Sequence, residues 1–369
     1  MKILHVSGAK GWGGNEQQMI DMIPELIKLG LENMVFGIKD SSLHLECKAK
    51  DISFVGAKGD KLNKFVNYRY LKTLVKDIKP DIIHLHTSDS LTAYTISDLL
   101  FGLKTKAVFS KKGMGSSSSI LSRFKYNYRN IKTIICVSEA VKISFSAIIT
   151  KNNLHKLKVV YDGINLDRAS INRNLNLMES FKIASDKFII GNIANHVKAK
   201  DLFTLINTMN CLVNDKGIRN IHLMQIGEFS NKLTPEIQNL ILEYKLEDFI
   251  TLTDFQPHAL GFLEQFDLFV MSSEREGLPL TIFEAFFKKI PIVSTKAGGI
   301  PEAISHGFNG YLSEVRDFKS LALNIEDLLI NQKKREDFVQ RSHDLFFEKF
   351  TAEHTAKNTY TIYQNIKNQ

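Results

Sequence analysis

Cysteine is scarce in this chain of 369 residues: Cys47, Cys136 and Cys211 are widely spaced and odd in number. A disulfide framework is therefore excluded, no metal-ligand spacing is present, and reduced thiols in a cytoplasmic protein are expected. Apolar runs approaching twenty residues are absent, which excludes a membrane-spanning helix. The opening MKILHVSG has no hydrophobic region of signal-peptide length and reads directly as a first strand. The dinucleotide pattern Gly-x-Gly-x-x-Gly is missing from the glycine-rich loop that follows, so no nicotinamide is expected, nor any other cofactor. Internal repeats and low-complexity tracts are missing too, and no nucleic-acid partner is expected.

Acid is absent from one long stretch. Between Asp98 and Glu139 there is no carboxylate, while Lys104, Lys106, Lys111, Lys112, Arg123, Lys125, Arg129 and Lys132 are all cationic. Residues 1–170 carry 26 lysines and arginines against 15 acids, whereas the remainder carries 22 against 25. That asymmetry points the first half toward an anionic surface or acceptor. In a helix over 119–130, Ile120, Leu121, Phe124 and Tyr128 share one side and the cations surround it. Such a helix suits an anionic membrane surface at residues 104–132. It equally suits packing on its own domain with solvated lysines, and the sequence leaves both readings open.

What is present is the composition of an ordinary globular protein, 44% hydrophobic and 24% charged. The length allows about two domains. Strand-like and helix-like segments alternate: a first strand over 2–7, a helix to Leu29, a strand over 32–38, a helix over 62–78 and a strand from Asp81 to His86. Strands at 105–110 and 132–137 follow, with Ser138 a suitable N-cap for a helix over 139–149. A second series begins with a strand from Phe188 to Ile193 and a helix to about Asn214, then strands at 219–226 and 249–253 and a helix over 257–265. This alternation predicts α/β architecture with parallel sheets. His84 and His86 share a side of their strand. His86, at the carboxyl end where open parallel sheets bind ligands, is either a ligand-facing residue or a satisfied structural histidine.

The densest pattern is FDLFVMSSEREGLPLTIFEAFFKKIPIVSTKAGGIPEAISHGFNGYL, residues 266–312. It reads as a buried strand, a polar loop, a helix from Pro279 to about Lys289, a second strand over 290–294, and a short helix near Pro301. Glu276 lies in the loop and Glu284 in the helix, with uncapped N–H groups between them. A helix N-terminus attracts anions, and a carboxylate accepts hydroxyl hydrogens, so the pair suits a phosphate flanked by sugars. Otherwise Glu276 is a solvated loop residue and Glu284 an exposed one with Lys288 one turn on.

Ser273, Glu276, Gly277, Pro279, Leu280, Glu284, Ala285, Pro291, Gly298, Gly299, Pro301 and Glu302 in this register resemble the donor-site signature of the retaining glycosyltransferases of family 4. The resemblance is strongest over 266–312 and moderate in the first half. It implies the GT-B fold, two Rossmann-like domains facing across a cleft. The domains expected are 1–170, on the acceptor side, and 171–350, for the nucleotide-sugar donor, with a helix over 351–369 crossing back. Residues 166–186 would be a linker with an entry helix. Gly13-Gly14-Asn15-Glu16 is similar to the family's opening Gly-Gly-x-Glu, although a loop without a ligand stays the alternative.

The resemblance implies catalytic roles for Glu276, Lys200 and Lys112. Donor contacts would come from Gly13, Gly14, Asn195, His196, Lys200, Gly227, Glu276, Gly277, Leu278, Leu280, Thr281 and Glu284. Acceptor-side contacts would come from Glu16, His86, Lys111 and Lys112. Two departures stand out: Asn195 replaces a phosphate-gripping arginine, leaving His196 or Lys198 to fill in, and Lys112 replaces a sugar-contacting histidine. Phe229 also replaces a second glycine after Gly227-Glu228. The implied function is transfer of a hexose, with retention, from a nucleotide diphosphate sugar to a glycan or lipid-linked acceptor in cell-surface polysaccharide or lipopolysaccharide synthesis. No metal is expected, since no Asp-x-Asp occurs anywhere in the chain. The enzyme would be cytoplasmic, peripheral on the inner face of the plasma membrane. The alternatives are a catalytically silent binding subunit, or a nucleotide-sugar epimerase or glycosyl-phosphate-dependent synthase on the same fold.

Overall fold

A computed structural model describes residues 1–115, 119–169, 176–256 and 259–368. The chain forms two compact units, Met1–Asn165 with Phe350–Gln369, and Leu166–Lys349. Each is a parallel sheet wrapped by helices.

In the first unit the strands are Lys2–Val6 (β1), Glu32–Gly37 (β2), Ser53–Gly56 (β3), Ile82–Leu85 (β4), Lys106–Lys111 (β5), Ile131–Cys136 (β6) and Leu157–Val159 (β7). They run in the order β3-β2-β1-β4-β5-β6-β7, all parallel. The connecting helices are Gly14–Lys28 (α1), Ser42–Ala49 (α2), Phe65–Ile78 (α3), Ser88–Phe101 (α4), Ile120–Tyr126 (α5) and Glu139–Ser146 (α6). Ser138 caps α6 by accepting from the Val141 N–H, the local bond that starts that helix. One face of the sheet buries Ile3, Ile82, Val108 and Ile135 against Met22 and Leu26 of α1 and against Ala356, Tyr363 and Ile366 of the last helix, Ala352–Lys367. The segments that return to this unit therefore complete its core rather than decorate it.

The second unit opens with two short helices, Leu166–Ala169 (α7) and Leu177–Phe181 (α8). The expected linker over 166–186 thus carries local structure; its residues 170–175 lie outside the described residues, as do Ser116–Ser118 of the serine run. The strands are Phe188–Ile193 (β8), Ile221–Ile226 (β9), Ile250–Thr253 (β10), Leu268–Met271 (β11), Ile292–Thr295 (β12) and Tyr311–Ser313 (β13), in the parallel order β10-β9-β8-β11-β12-β13. Helices Leu202–Asn210 (α9), Leu233–Glu243 (α10), Leu260–Leu263 (α11), Leu280–Phe287 (α12), Phe318–Ile330 (α13) and Gln332–Lys349 (α14) cover it. The terminal Ala352–Lys367 is α15.

Several boundaries differ from the sequence expectation. The helix expected from 62 begins at Phe65. That expected over 257–265 is four residues long, with 257 and 258 outside the described residues. Pro279 caps α12 in an extended conformation (φ −76°, ψ 135°) instead of starting it. The turn at Ile300–Glu302 is a single 3-10 turn.

The helix expected over 119–130 stops at Tyr126, and Tyr128 is not on its apolar face. Tyr128 is buried and its hydroxyl donates to Asp98 Oδ2 at 2.7 Å. What remains of that face looks outward, with Ile120 90%, Leu121 70% and Phe124 48% exposed. The helix is nonetheless docked on its own unit, through Tyr126 against Phe109 and Phe145. Among the described residues no helix is long and apolar enough to cross a membrane.

Candidate active site

Both sheets reverse strand order once, between β1 and β4 and between β8 and β11. At such switch points the loops leaving the carboxyl ends of adjacent strands diverge and open a crevice, the place where doubly wound sheets bind ligands. In the second unit these loops are residues 194–201, after β8, and 272–279, after β11.

The two loops are strapped together by named bonds. The N–H groups of Glu274 and Arg275 donate to the Ala199 carbonyl at 2.8 and 3.3 Å, and Ser272 Oγ donates to the Lys200 carbonyl at 3.1 Å. Behind them, Thr295 Oγ1 donates to the Ser273 carbonyl at 2.6 Å. This scaffold delivers Lys200 Nζ to 2.7 Å from Glu276 Oε1, which also accepts from Ser273 Oγ at 2.6 Å. Lys200 and Glu276, both named on the family resemblance and 76 positions apart, are direct partners.

The Gly298-Gly299 loop buttresses the same turn. The Gly299 N–H donates to the Gly277 carbonyl at 3.1 Å. Gly298 is left-handed (φ +55°), and a Cβ there would fall 1.8 Å from the Glu276 carbonyl oxygen. Only glycine fits. Beyond Glu276 the chain enters α12 through Pro279, which supplies no side-chain cap. The first-turn N–H groups at Leu280 and Thr281 therefore present an uncapped positive end. Leu278 and Leu280 are themselves buried, so what they can offer a ligand is backbone.

Glu284 is buried on α12 and takes a guanidinium hydrogen bond from Arg168 Nη2 at 2.9 Å. The pairing with Lys288 considered from sequence does not occur, because Lys288 pairs with Glu264 across helices. Arg168 had no sequence signal, lying in a polar stretch without periodicity.

The remaining donor-side positions divide. Asn195 is exposed, and its Oδ1 accepts from the Glu228 N–H at 3.0 Å, closing the loops after β8 and β9 on each other. Gly227 is required at that closure, since a Cβ would lie 2.0 Å from the Ala194 carbonyl oxygen. His196 does not replace the missing arginine. It is buried, with Nδ1 at 2.7 Å from Thr234 Oγ1 and Nε2 at 2.8 Å from Gln225 Oε1. Burial holds its pKa below the usual histidine value, so the ring is a neutral structural link. Lys198 is exposed on the same loop.

In the first unit the switch-point loops are residues 7–13 and His86-Thr87. Gly13 is the extended N-cap of α1 and has no side chain to cap it, and Gly14 begins the helix. Glu16 is buried, its carboxyl pushed up by that burial, and Asn15 Nδ2 donates to Glu16 Oε1 and to the His86 carbonyl, both at 3.1 Å. His86 is buried just after β4 rather than open to solvent. It is 3% exposed, and its Nε2 lies 2.9 Å from Nδ1 of His5, a residue the sequence reading passed over. His5 and His84 stand opposite each other on β1 and β4. His84 contacts Tyr363 Oη at 2.5 Å and Ser110 Oγ at 2.8 Å, and His5 contacts Asn33 Oδ1 at 3.0 Å.

Among the described residues these three rings form the group close enough to share an ion, with ligand atoms within 4.8 Å of one another. The hydrogen bonds just named occupy those nitrogens, leaving His86 Nδ1 without a partner. Burial drives all three pKa values down, His5 to about 4.

Lys111 and Lys112 are likewise engaged within the unit. Lys111 donates to the Gly115 carbonyl at 2.5 Å over the Phe145 ring, and burial lowers its pKa. Lys112 is ion-paired with buried Asp162. Neither is presented as an unoccupied cation.

The sequence matches the family described as Glycosyl transferases group 1 over residues 174–344 and that described as Glycosyltransferase Family 4 over residues 12–168. The chain belongs to this glycosyltransferase family. Each match falls almost wholly within one of the two units, and the first contains β8 and β11, the strands flanking the second unit's switch point. Similar relatives include the N-acetyl-alpha-D-glucosaminyl L-malate synthase of Bacillus anthracis, 24% identical over 78% of this chain and 75% of that protein. The capsular polysaccharide biosynthesis glycosyltransferase CapM of Staphylococcus aureus is 26% identical over 63% of this chain and 61% of its own length. Among solved structures, Anabaena HepE in complex with UDP-glucose matches with a TM-score of 0.86 at 18% identity, covering 99% of this chain and 100% of that one. The glycosyltransferase is therefore of GT-B fold, with a Rossmann-like sheet in each unit.

Proposed function

We propose that this glycosyltransferase moves a hexose from a nucleotide diphosphate sugar, with retention of anomeric configuration and without a metal, to a glycan or lipid-linked acceptor of a cell-surface polysaccharide. The observation that carries the reading is the Lys200–Glu276 pair, held at 2.7 Å at the switch point of the second unit beside the uncapped start of α12. A departing diphosphate develops negative charge, which Lys200 and the N–H groups of Leu280 and Thr281 would stabilise, while the carboxylate of Glu276 orients sugar hydroxyls. Glu284, steadied by Arg168, would take the ribose hydroxyls. The acceptor hydroxyl would pass its proton to the departing phosphate oxygen on the same face of the sugar, so the protein's work is positioning and charge stabilisation.

The capsular relative supports a polysaccharide product, and the UDP-glucose bound to HepE makes a UDP-linked hexose the first donor to try. The outward Ile120, Leu121 and Phe124 on an acid-free segment support a peripheral position on the inner face of the plasma membrane.

A thermal-shift screen against UDP, GDP, ADP and their sugar conjugates tests the donor. A ligand at a hundred times its Kd stabilises by about 2.7 kcal/mol. The expected result is a shift with one diphosphate, and loss of transfer in Glu276→Gln with an unchanged melting temperature. No shift with any diphosphate, or full turnover in Glu276→Gln, overturns the reading and leaves a silent binding subunit.

A further inference from the structure

The seven-stranded sheet ends at β7, an edge strand, and a groove of about 960 Å³ runs beside it between the β6–β7 edge and α15. Four cationic side chains line it, Arg129, Lys132, Lys156 and Lys158, with His155 beside them, and no carboxylate appears among the lining residues. Lys132 and Lys156 reach main-chain carbonyls, of Arg129 at 3.2 Å and Tyr128 at 3.5 Å, rather than acids. Lys156 is buried, and its ammonium is disfavoured first by that burial and then by the charge of Lys132. Cations gathered without a counter-charge repel one another, and an anion placed among them relieves both that repulsion and the desolvation.

The opposite wall is chemically different. Asn358, Thr361 and Asn365, at helical i, i+3, i+7 spacing on α15, present exposed amides and a hydroxyl to the groove. We propose that this groove binds an anionic glycan, a saccharide chain bearing phosphate, carboxylate or sulfate groups, at a site built from residues other than those of the donor site. The cations take the acidic substituents and the α15 wall takes sugar hydroxyls. A bilayer surface fits less well, because the site is a concave groove rather than a projecting apolar face. A nucleic acid would want an aromatic platform for its bases. The aromatic residue here, Tyr161, is packed edge-on against Phe350, ring centroids 5.7 Å apart.

The test is binding, read without turnover, so it stands apart from the outcome for the donor site. Fluorescence anisotropy would follow a labelled, sulfated hexasaccharide, with neutral maltohexaose, phosphatidylglycerol vesicles and oligothymidylate as competitors. The expected result is displacement by unlabelled sulfated sugar alone. Affinity should fall about tenfold in Lys132→Glu/Lys158→Glu, and should weaken with added salt as screening requires. Lys158→Ala should show a smaller loss at an unchanged melting temperature, and Asn358→Ala/Asn365→Ala should weaken the hexasaccharide too. Equal binding by the charge-reversed protein, no binding at all, or stronger competition by vesicles, oligothymidylate or maltohexaose overturns the proposal.

Discussion

Replacing Gly298 by alanine probes whether the Glu276 turn is held by its neighbour loop. Two costs arise. The left-handed backbone at φ +55° disfavours any residue with a Cβ by roughly 1–2 kcal/mol. The new methyl also sits 1.8 Å from the Glu276 carbonyl oxygen, where real Cβ atoms keep at least 3.0 Å, so the turn must move by about 1.2 Å. Glu276 then leaves its bonds with Lys200 and Ser273. A displacement near 1 Å at a reacting centre costs on the order of a hundredfold in rate.

Gly307→Ala is the matched control, being left-handed (φ +74°) with nothing within 4 Å of the added methyl. It bears the backbone cost alone and should lower the melting temperature of the second unit by roughly 2–8 °C. The assay is release of nucleoside diphosphate from the donor found in the thermal-shift screen, beside a melting curve for each variant. Gly298→Ala should lose about a hundredfold in release, Gly307→Ala less than about twofold. If both lose equally, or Gly298→Ala turns over normally, the buttress argument fails.

Acid should destabilise the protein through its buried imidazoles. Burial depresses the folded pKa of His5 to about 4, and those of His84 and His86 as well, so the unfolded chain takes up protons first as pH falls below about 6.5. Stability is thus fully present above that pH and is lost on the way down to 4. His5 alone would contribute about 2 kcal/mol of loss by pH 5. Urea midpoints measured from pH 7 to 4.5 check this, the His5 share being the difference from His5→Gln; a slope that persists unchanged in the variant would refute it. At the surface, Ile120→Glu/Phe124→Glu should reduce sedimentation with anionic liposomes while leaving diphosphate release intact. Equal sedimentation by both proteins would remove α5 as the contact.

Much of the fold was legible because buried parallel strands read as continuous apolar runs: Phe188–Ile193 was bounded to the residue. The loop over 272–279 was legible for another reason, the dense local pattern at 266–312. Long-range partners were not. His5 meets His86 only because β1 and β4 lie side by side, 81 positions apart in sequence. Asp162 neutralises Lys112 across 50 positions, and Arg168 reaches Glu284 across 116. His196 carried a misleading signal. A histidine in a loop expected to grip phosphate looks like a ligand until Gln225 and Thr234, from two other elements, are seen to hold it.

The second unit is, in chain terms, an insertion within the first. The chain departs after Asn165 and comes back at Phe350, and Ile164 and Thr351, just inside those two points, bridge each other. A ribosome that has finished the first 165 residues has therefore not finished the first unit, because Ala356, Tyr363 and Ile366 are still to come. Until they arrive, one face of a seven-stranded sheet lacks the α15 part of its cover, and His84 lacks the Tyr363 hydroxyl. The nascent sheet waits, partly uncovered, until the whole intervening unit has been made.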